Sequence, residues 1–179
     1  MTVLFSDDDV AAAVDAPLTV AAMRDALLAA YAGRLIAPPR ASAPLGGGRM
    51  VLTAGHLTGE WYGFRSYDTF GHPESGQLVV LHDATTGAVR AIAVGEELGS
   101  RRTGGLGGVA VDALARADAA TLGVVGSGRQ AWTQVWAAAA VRPLREVTVY
   151  SRSAARREAF AARVRSVVRA STARVASHC

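Results

Sequence analysis

A chain of 179 residues that is 50% hydrophobic and 19% charged can fill one domain or two small ones, and is too apolar to stay disordered. Its single cysteine, Cys179, excludes a disulfide scaffold within the chain. The net charge of +4 is uneven, since residues 1–141 carry 10 Arg against 13 acids while residues 142–179 carry 9 Arg against Glu146 and Glu158. No stretch approaches the roughly 18–20 apolar residues of a membrane span. Asp7, Asp8 and Asp9 interrupt any secretory leader, so a cytoplasmic protein is expected. All 19 basic residues are Arg. This sequence therefore offers no lysine amine for Schiff-base chemistry.

In chain order, residues 15–35 read as an amphipathic helix. Asp15 caps it, Pro17 sits in the first turn, and Val20, Met23, Leu27, Tyr31 and Leu35 recur at helical spacing before Pro38 and Pro39. Strands follow at 49–54, 60–67, 77–82 and 88–94, the last two joined by a hairpin loop from Asp83 to Gly87. This is an α+β block of antiparallel pairs. A connecting helix spans 98–117, weakened by Gly104, Gly105, Gly107 and Gly108. From there the pattern turns to strand 121–125, helix 129–140, strand 146–150 and a helical segment from Ser153, a βαβ unit. The expected fold class is α/β: an N-terminal α+β substrate and dimerisation domain at 1–117, then an incomplete Rossmann NAD(P)-binding domain at 118–179.

The sharpest local signal is Gly126-Ser127-Gly128-Arg129-Gln130-Ala131, a G-x-G-x-x-A turn between an apolar strand and a helix. Gly126 permits the tight turn, Gly128 removes a Cβ that would block a pyrophosphate, and Ala131 lets helix and strand pack closely. The helix N-terminus adds N–H groups and partial positive charge. The plain alternative is a turn that only connects strand to helix. At the end of the next strand an acidic residue would take the ribose hydroxyls of NAD. This sequence has Tyr150-Ser151-Arg152 there. Ser151 and Arg152 suit a 2′-phosphate better, so the cofactor expected is NAD(P), with NADP(H) favoured over NAD(H). Arg152 as a solvated residue opening a helix is the other reading.

Taken together, Leu98-Gly-Ser-Arg-Arg102-Thr103 and the later Val-Val-Gly126-Ser-Gly128-Arg-Gln130-Ala131 resemble the ornithine cyclodeaminase/mu-crystallin family. Gly59-Glu60-Trp-Tyr-Gly63-Phe-Arg65, Gly71-His72-Pro73 and Leu81-His-Asp83-Ala-Thr-Thr-Gly87 look like its substrate-side segment. The resemblance runs from the N-terminal helix to about Phe160. It implies an NAD(P)-dependent enzyme acting on the α-amino or α-imino carbon of a small amino acid, by cyclodeamination or imine reduction. It also implies a homodimer formed through the N-terminal domain. By matching motifs, Arg102 would hold the substrate carboxylate, with Arg40 and Arg65 as further substrate ligands. Thr103 would lie near the cofactor, while Ser127, Arg129 and Gln130 would approach the pyrophosphate.

Three departures stand beside the resemblance. Arg65 replaces a usual Lys and does not readily give up a proton. Gly104 and Gly105 replace usual alanines and are expected to loosen the helix. The family's Rossmann domain continues through more strands and a catalytic Asp, which would lie beyond Cys179, leaving the activity of this short chain open. A rival reading is a non-catalytic, dimeric nucleotide- or small-ligand-binding protein.

The Arg-rich stretch from Arg152 to Arg174 lacks interleaved aromatics, so no nucleic-acid partner is expected. As a helix it would offer Val164, Val167, Val168 and Val175 to a core; alternatively, residues beyond Phe160 are foreign to the family. His56, His72, His82 and His178 show no ligand spacing, and no metal is expected. Arg101 competes with Arg102 for the carboxylate, although helical neighbours point about 100° apart. Trp132 and Trp136 read as packing residues, and Asp83 as a loop residue bonding its own backbone.

Overall fold

The computed structural model describes residues 1–72, 76–168 and, in backbone only, 172–175. Two compact units divide the chain: residues 1–14 with 25–99, and residues 15–24 with 100–179. By contacts, then, the connecting helix groups with the parallel sheet from Ser100 onward, whereas the sequence boundary near Asp118 separates helix from strand.

The first unit opens with β1 (Val3–Phe5) and α1 (Asp7–Ala13); α2 (Ala16–Tyr31) follows in the chain, its residues up to Arg24 grouping with the second unit and the rest with the first. Next come β2 (Leu35–Ile36), β3 (Ala41–Leu45), β4 (Gly48–Leu57), β5 (Trp61–Asp68), β6 (Leu78–Asp83) and β7 (Val89–Val94). They form a seven-stranded sheet in the order β1-β7-β6-β5-β4-β2, with β3 also paired to β4. All the pairings are antiparallel except β1 with β7. The four expected strands are thus β4 to β7; β1, α1, β2 and β3 add to them.

Local chemistry explains the turns. Asp83 accepts hydrogen bonds through Oδ1 from the backbone N–H groups of Thr85 at 3.0 Å and Thr86 at 2.9 Å. Those bonds, that from Thr86 first, hold its carboxyl below the ordinary value. Gly87 closes the loop at φ +72°. Helix α2 starts as expected, with Asp15 Oδ1 accepting from the Leu18 N–H at 2.8 Å. It stops at Tyr31 and not at Leu35, because Gly33 turns left-handed at φ +70°. The N–H of Arg34 then reaches the Ala29 carbonyl at 2.8 Å, and that of Gly33 the Ala30 carbonyl at 3.0 Å. This closure satisfies the last carbonyls and frees Leu35 to enter β2.

In the second unit, α3 (Glu97–Leu114) leads to β8 (Thr121–Val125), α4 (Arg129–Val141), β9 (Glu146–Tyr150), α5 (Ala154–Val167) and β10 (Thr172–Val175). The sheet order is β10-β9-β8, all parallel. That is the 3-2-1 half of a Rossmann sheet. The sequence led us to expect two strands and a longer final helix carrying Val175. Instead Val168 caps α5 in an extended conformation, φ −102° and ψ 98°, and Val175 lies on a third strand. Val135 of α4, Val147 and Val149 of β9, and Phe160, Val164 and Val168 around α5 form the core, with Trp132 packed against it. Arg163 and Arg165 of α5 are exposed, and Arg163 lies over the Trp132 ring, 3.8 Å from its centroid.

The glycines of α3 do not loosen it. The helix is continuous, and Gly104, Gly105 and Gly108 are buried. A Cβ on Gly104 would collide with the Thr133 carbonyl of α4, and one on Gly108 would stand 2.6 Å from Val20 Cγ2 and 3.1 Å from Ala137 Cβ. On Gly105 it would meet Thr19 Cγ2 at 2.6 Å. Glycine here lets α3 approach α4 and residues 15–24 more closely than alanine could. Past its last turn, Arg142 donates to the carbonyls of Val111 at 3.1 Å, Asp112 at 2.6 Å, Ala115 at 3.0 Å and Arg116 at 3.0 Å. Arg142 also pairs with the Asp112 carboxylate at 2.7 Å, and Arg24 pairs with that carboxylate too.

Candidate functional site

Strand β8 delivers the glycine turn to the carboxyl end of the parallel sheet, where open α/β sheets hold their ligands. Gly126 adopts φ +109°, a conformation side chains avoid, and its N–H donates to the Tyr150 carbonyl at 2.8 Å. Gly128 differs. At φ −93° and ψ −176° it is extended backbone open to any residue, and it caps α4 without a side-chain hydrogen bond. A Cβ built on Gly128 meets nothing within 4 Å. Neither these backbone angles nor a neighbour within 4 Å calls for glycine at this position. Ala131 packs against the core beneath, as helix–strand approach demands.

The turn forms one wall of a cavity of about 560 Å³ lined by Val125, Gly126, Ser127 and Gly128 and, opposite, by Tyr150, Ser151, Arg152, Ser153 and Arg156. Two bonds hold the walls. Ser127 Oγ donates to Ser151 Oγ at 2.9 Å, and Arg157 Nη1 donates to the Ser151 carbonyl at 2.6 Å. Thus Gly126, Ser127, Gly128, Ser151 and Arg152 are brought together around one space. Arg129 and Gln130 stand exposed in the first turn of α4, just beyond it. This donor set fits a dinucleotide: a glycine cradle at a helix N-terminus, hydroxyls and guanidinium groups.

Arg156 also lines this space, beyond the residues expected from the sequence. Ser153 caps α5 by accepting from the Arg156 N–H at 3.4 Å, and that turn carries Arg156 back to the cavity. The signal was available in Ser153-Ala-Ala-Arg156, a helix start that places its third helical residue beside the strand end.

On α3, Arg101 and Arg102 part company. The Arg101 guanidinium lies over the Trp136 ring, 4.9 Å from its centroid. Arg102 is half-buried on another side of the helix, and among the described residues no carboxylate pairs with it. The Thr103 carbonyl accepts from Gln134 Nε2 at 3.1 Å, so α4 fixes the backbone just after Arg102.

In the first unit, Arg65 sits half-buried on β5, its guanidinium 4.3 Å from the Tyr67 ring centroid. Its cross-strand partner on β4 is Thr53. Arg40 is exposed and immediately precedes β3, where Ala41 faces Leu52. Extending that register by one residue sets Arg40 beside Thr53, in the same row as Arg65. His72 is exposed, and Pro73, His178 and Cys179 lie outside the described residues. Among the described residues no group of three or more His, Cys, Asp or Glu is gathered to hold a metal ion. No helix among them is long and apolar enough to cross a membrane.

Known proteins resemble this chain in sequence and in fold. A Delta(1)-pyrroline-2-carboxylate reductase of Bacillus cereus is 42% identical over 84 residues, covering 47% of this chain and 26% of the relative. The L-lysine cyclodeaminase of Streptomyces rapamycinicus is 33% identical over 103 residues, covering 58% of this chain and 30% of the relative. The solved structure of Thermococcus litoralis Delta(1)-pyrroline-2-carboxylate reductase, in complex with NADH and L-proline, superposes with a TM-score of 0.87 at 25% identity. That alignment covers 97% of this chain and 56% of the other, so the chain spans about half the length of such relatives. The sequence profile of the ornithine cyclodeaminase/mu-crystallin family matches residues 5–177. The match carries past Phe160, where the sequence alone suggested that the resemblance fades. With that profile covering nearly all of its length, the chain belongs to the ornithine cyclodeaminase/mu-crystallin family.

Proposed function

We propose that this chain carries the substrate domain, residues 1–117, and the first part of the Rossmann domain, residues 118–179, of an NAD(P)-dependent oxidoreductase. Its substrate is the α-amino or α-imino carbon of a small amino acid, and the reaction is imine reduction or cyclodeamination. Gly128 carries the proposal: neither its backbone angles nor its neighbours call for glycine, yet it lies in the cradle of the cavity. A nicotinamide cofactor, when bound, supplies the hydride chemistry. The residues of the chain bind and orient.

Gly126, Ser127, Gly128, Arg129, Gln130 and Ala131 form the phosphate-binding side, with Thr103 near the cofactor. Ser151 and Arg152 at the ribose end support NADP(H) over NAD(H). Arg102, Arg40 and Arg65 are the substrate-binding residues, each a planar fork for a carboxylate. The register that sets Arg40 and Arg65 in one row supports pairing those two. Arg65 keeps its charge throughout, so it orients and does not transfer protons.

The working form is a cytoplasmic homodimer joined through the first unit. One face of its sheet exposes Leu4, Ile36, Met50, Leu52, Tyr62, Phe64 and Val94. The strand registers set these side chains on a common side. An apolar surface of this kind suits a second copy of the same face.

The test is to titrate the full chain with NADPH, following quenching of tryptophan fluorescence, and then to add cyclic imino acids while monitoring NADPH oxidation. Saturable binding and turnover are the expected results. Absence of binding overturns the nucleotide site, and binding without turnover assigns this chain to the non-catalytic class.

A further inference from the structure

We infer that Gln134 of α4 is a positioning residue for the substrate: its amide holds the turn of α3 that bears Arg102 in register with the cradle at the start of α4. This rests on the reading of Arg102 as a carboxylate ligand and deepens it.

Gln134 stands half-buried in the second turn of α4 and reaches across to α3. Its Nε2 donates to the Thr103 carbonyl at 3.1 Å. A carbonyl inside an α-helix takes its ordinary hydrogen bond from the N–H four residues on, and its second lone pair is open to the amide. The residue four on is Gly107. A Cβ there would collide with Gln134 Oε1 and stand 2.8 Å from Gln134 Cδ. The amide therefore fills the space that a side chain at position 107 would take. A donor aimed at a helical carbonyl and a glycine that leaves room for it are separate observations of one seat.

The neighbouring contacts between the two helices do a different job. Gly104 against the Thr133 carbonyl, and Gly108 against Ala137, are steric contacts that limit how closely α3 and α4 approach. A hydrogen bond is directional, so the one from Gln134 fixes which turn of α3 lies where. Thr103 follows Arg102 directly in the chain. Gln134 lies six residues past Gly128, about 9 Å of helix. One amide thus sets the guanidinium that would take the carboxylate against the turn that would take the cofactor phosphates. Bidentate pairing needs that register, because a displaced fork loses one of its two parallel bonds.

Calorimetric titration of the full chain tests the inference, first with NADP+ and then, with NADP+ bound, with L-proline, L-alanine, L-ornithine and L-lysine. Wild type is compared with Arg102→Gln, Gln134→Met and Gln134→Glu. Gln134→Met keeps the length and loses the donor, so it should bind the preferred amino acid about tenfold more weakly while NADP+ changes less than about twofold. Gln134→Glu sets an acceptor against the Thr103 carbonyl when ionised and regains an O–H donor when protonated. Its amino-acid affinity relative to wild type should therefore recover as pH falls from about 8 to about 5, whereas that of Gln134→Met should keep a constant ratio. A role in packing alone leaves both ratios flat. Full amino-acid affinity in Gln134→Met, or no recovery in Gln134→Glu, overturns the inference, and a loss confined to Arg102→Gln leaves the reading of Arg102 standing. Equal losses for amino acid and NADP+ in Gln134→Met also overturn it, since they mark a helix disturbed as a whole. If wild type binds none of the amino acids, or Arg102→Gln binds them as wild type does, the reading of Arg102 falls and the inference with it.

Discussion

Two glycine-rich segments lie about twenty residues apart in this chain and use the same missing Cβ in opposite ways. On α3, a Cβ at Gly104 or Gly108 would run into Thr133, Val20 or Ala137, so the glycines there serve the protein's own packing. In the turn after β8, a Cβ at Gly128 would meet nothing at all. The α3 glycines are explained by their neighbours, whereas no neighbour explains Gly128, and the proposed cofactor is what would lie against it. Composition gives both segments the same appearance, and their surroundings separate them.

The largest effect expected from breaking this contrast is that of Gly128→Val. It should weaken NADPH binding roughly a hundredfold, about 2.7 kcal/mol. The melting temperature should stay within about 2 °C of wild type, because the backbone there accepts any residue. Retained NADPH affinity would refute the cradle.

Gly104→Ala should do the reverse. Overpacking against the α4 backbone should cost about 1–3 kcal/mol. At roughly 2–4 °C per kcal/mol for a chain of this size, the loss is readable by thermal melting. NADPH affinity of the protein that remains folded should hold. A variant that melts normally and binds poorly would move Gly104 into the cofactor site.

The smallest effect concerns the anchor of α3. The hydrogen bond from Arg142, with the charge of Arg24 adding to it, holds the Asp112 carboxyl below its ordinary value. A depressed carboxyl contributes stability that is present above its unfolded pKa of about 3.9 and lost as pH falls through the folded value. Urea midpoints should therefore fall more steeply toward about pH 3 in wild type than in Asp112→Asn. Asp9 and Asp83 are lowered too, by hydrogen bonds from Ser6 and from the Thr85–Thr86 backbone respectively, so only the difference between the two proteins isolates Asp112. Identical slopes would show that the α3 anchor is not electrostatic.

What the sequence made legible was local. The turn Gly126–Ala131 stands between an apolar strand and a helix, and its spacing alone locates β8, α4 and β9. The hairpin from Asp83 to Gly87 announces itself in the same way. The first fourteen residues were opaque because their partners are distant: β1 pairs with β7, and the Asp7 carboxylate accepts from the N–H groups of Glu96 at 3.2 Å and Glu97 at 2.8 Å. In the sequence, Asp7, Asp8 and Asp9 signify only the interruption of a leader. In fact Asp9 completes a capping box, its carboxylate accepting from the Ser6 N–H at 2.9 Å. β3 was hidden by Pro44, which a sheet tolerates only where its missing donor costs no ladder bond. The packing role of the α3 glycines and the inclusion of Arg156 in the cavity both depend on which residues meet across the fold, which no local pattern encodes.

The guanidinium of Arg142 has a consequence for how the chain assembles. The carbonyls it satisfies at the end of α3 precede it in sequence by 26 to 31 positions. Two of these carbonyls also have local donors, Val111 from the Ala115 N–H at 3.0 Å and Arg116 from the Ala119 N–H at 3.1 Å, so Arg142 adds a second, distant donor to each. One guanidinium thus ties the end of α3, the helix that bears Arg102, to the close of α4, the helix that opens at Gly128, so loss of either end is expected to loosen the other.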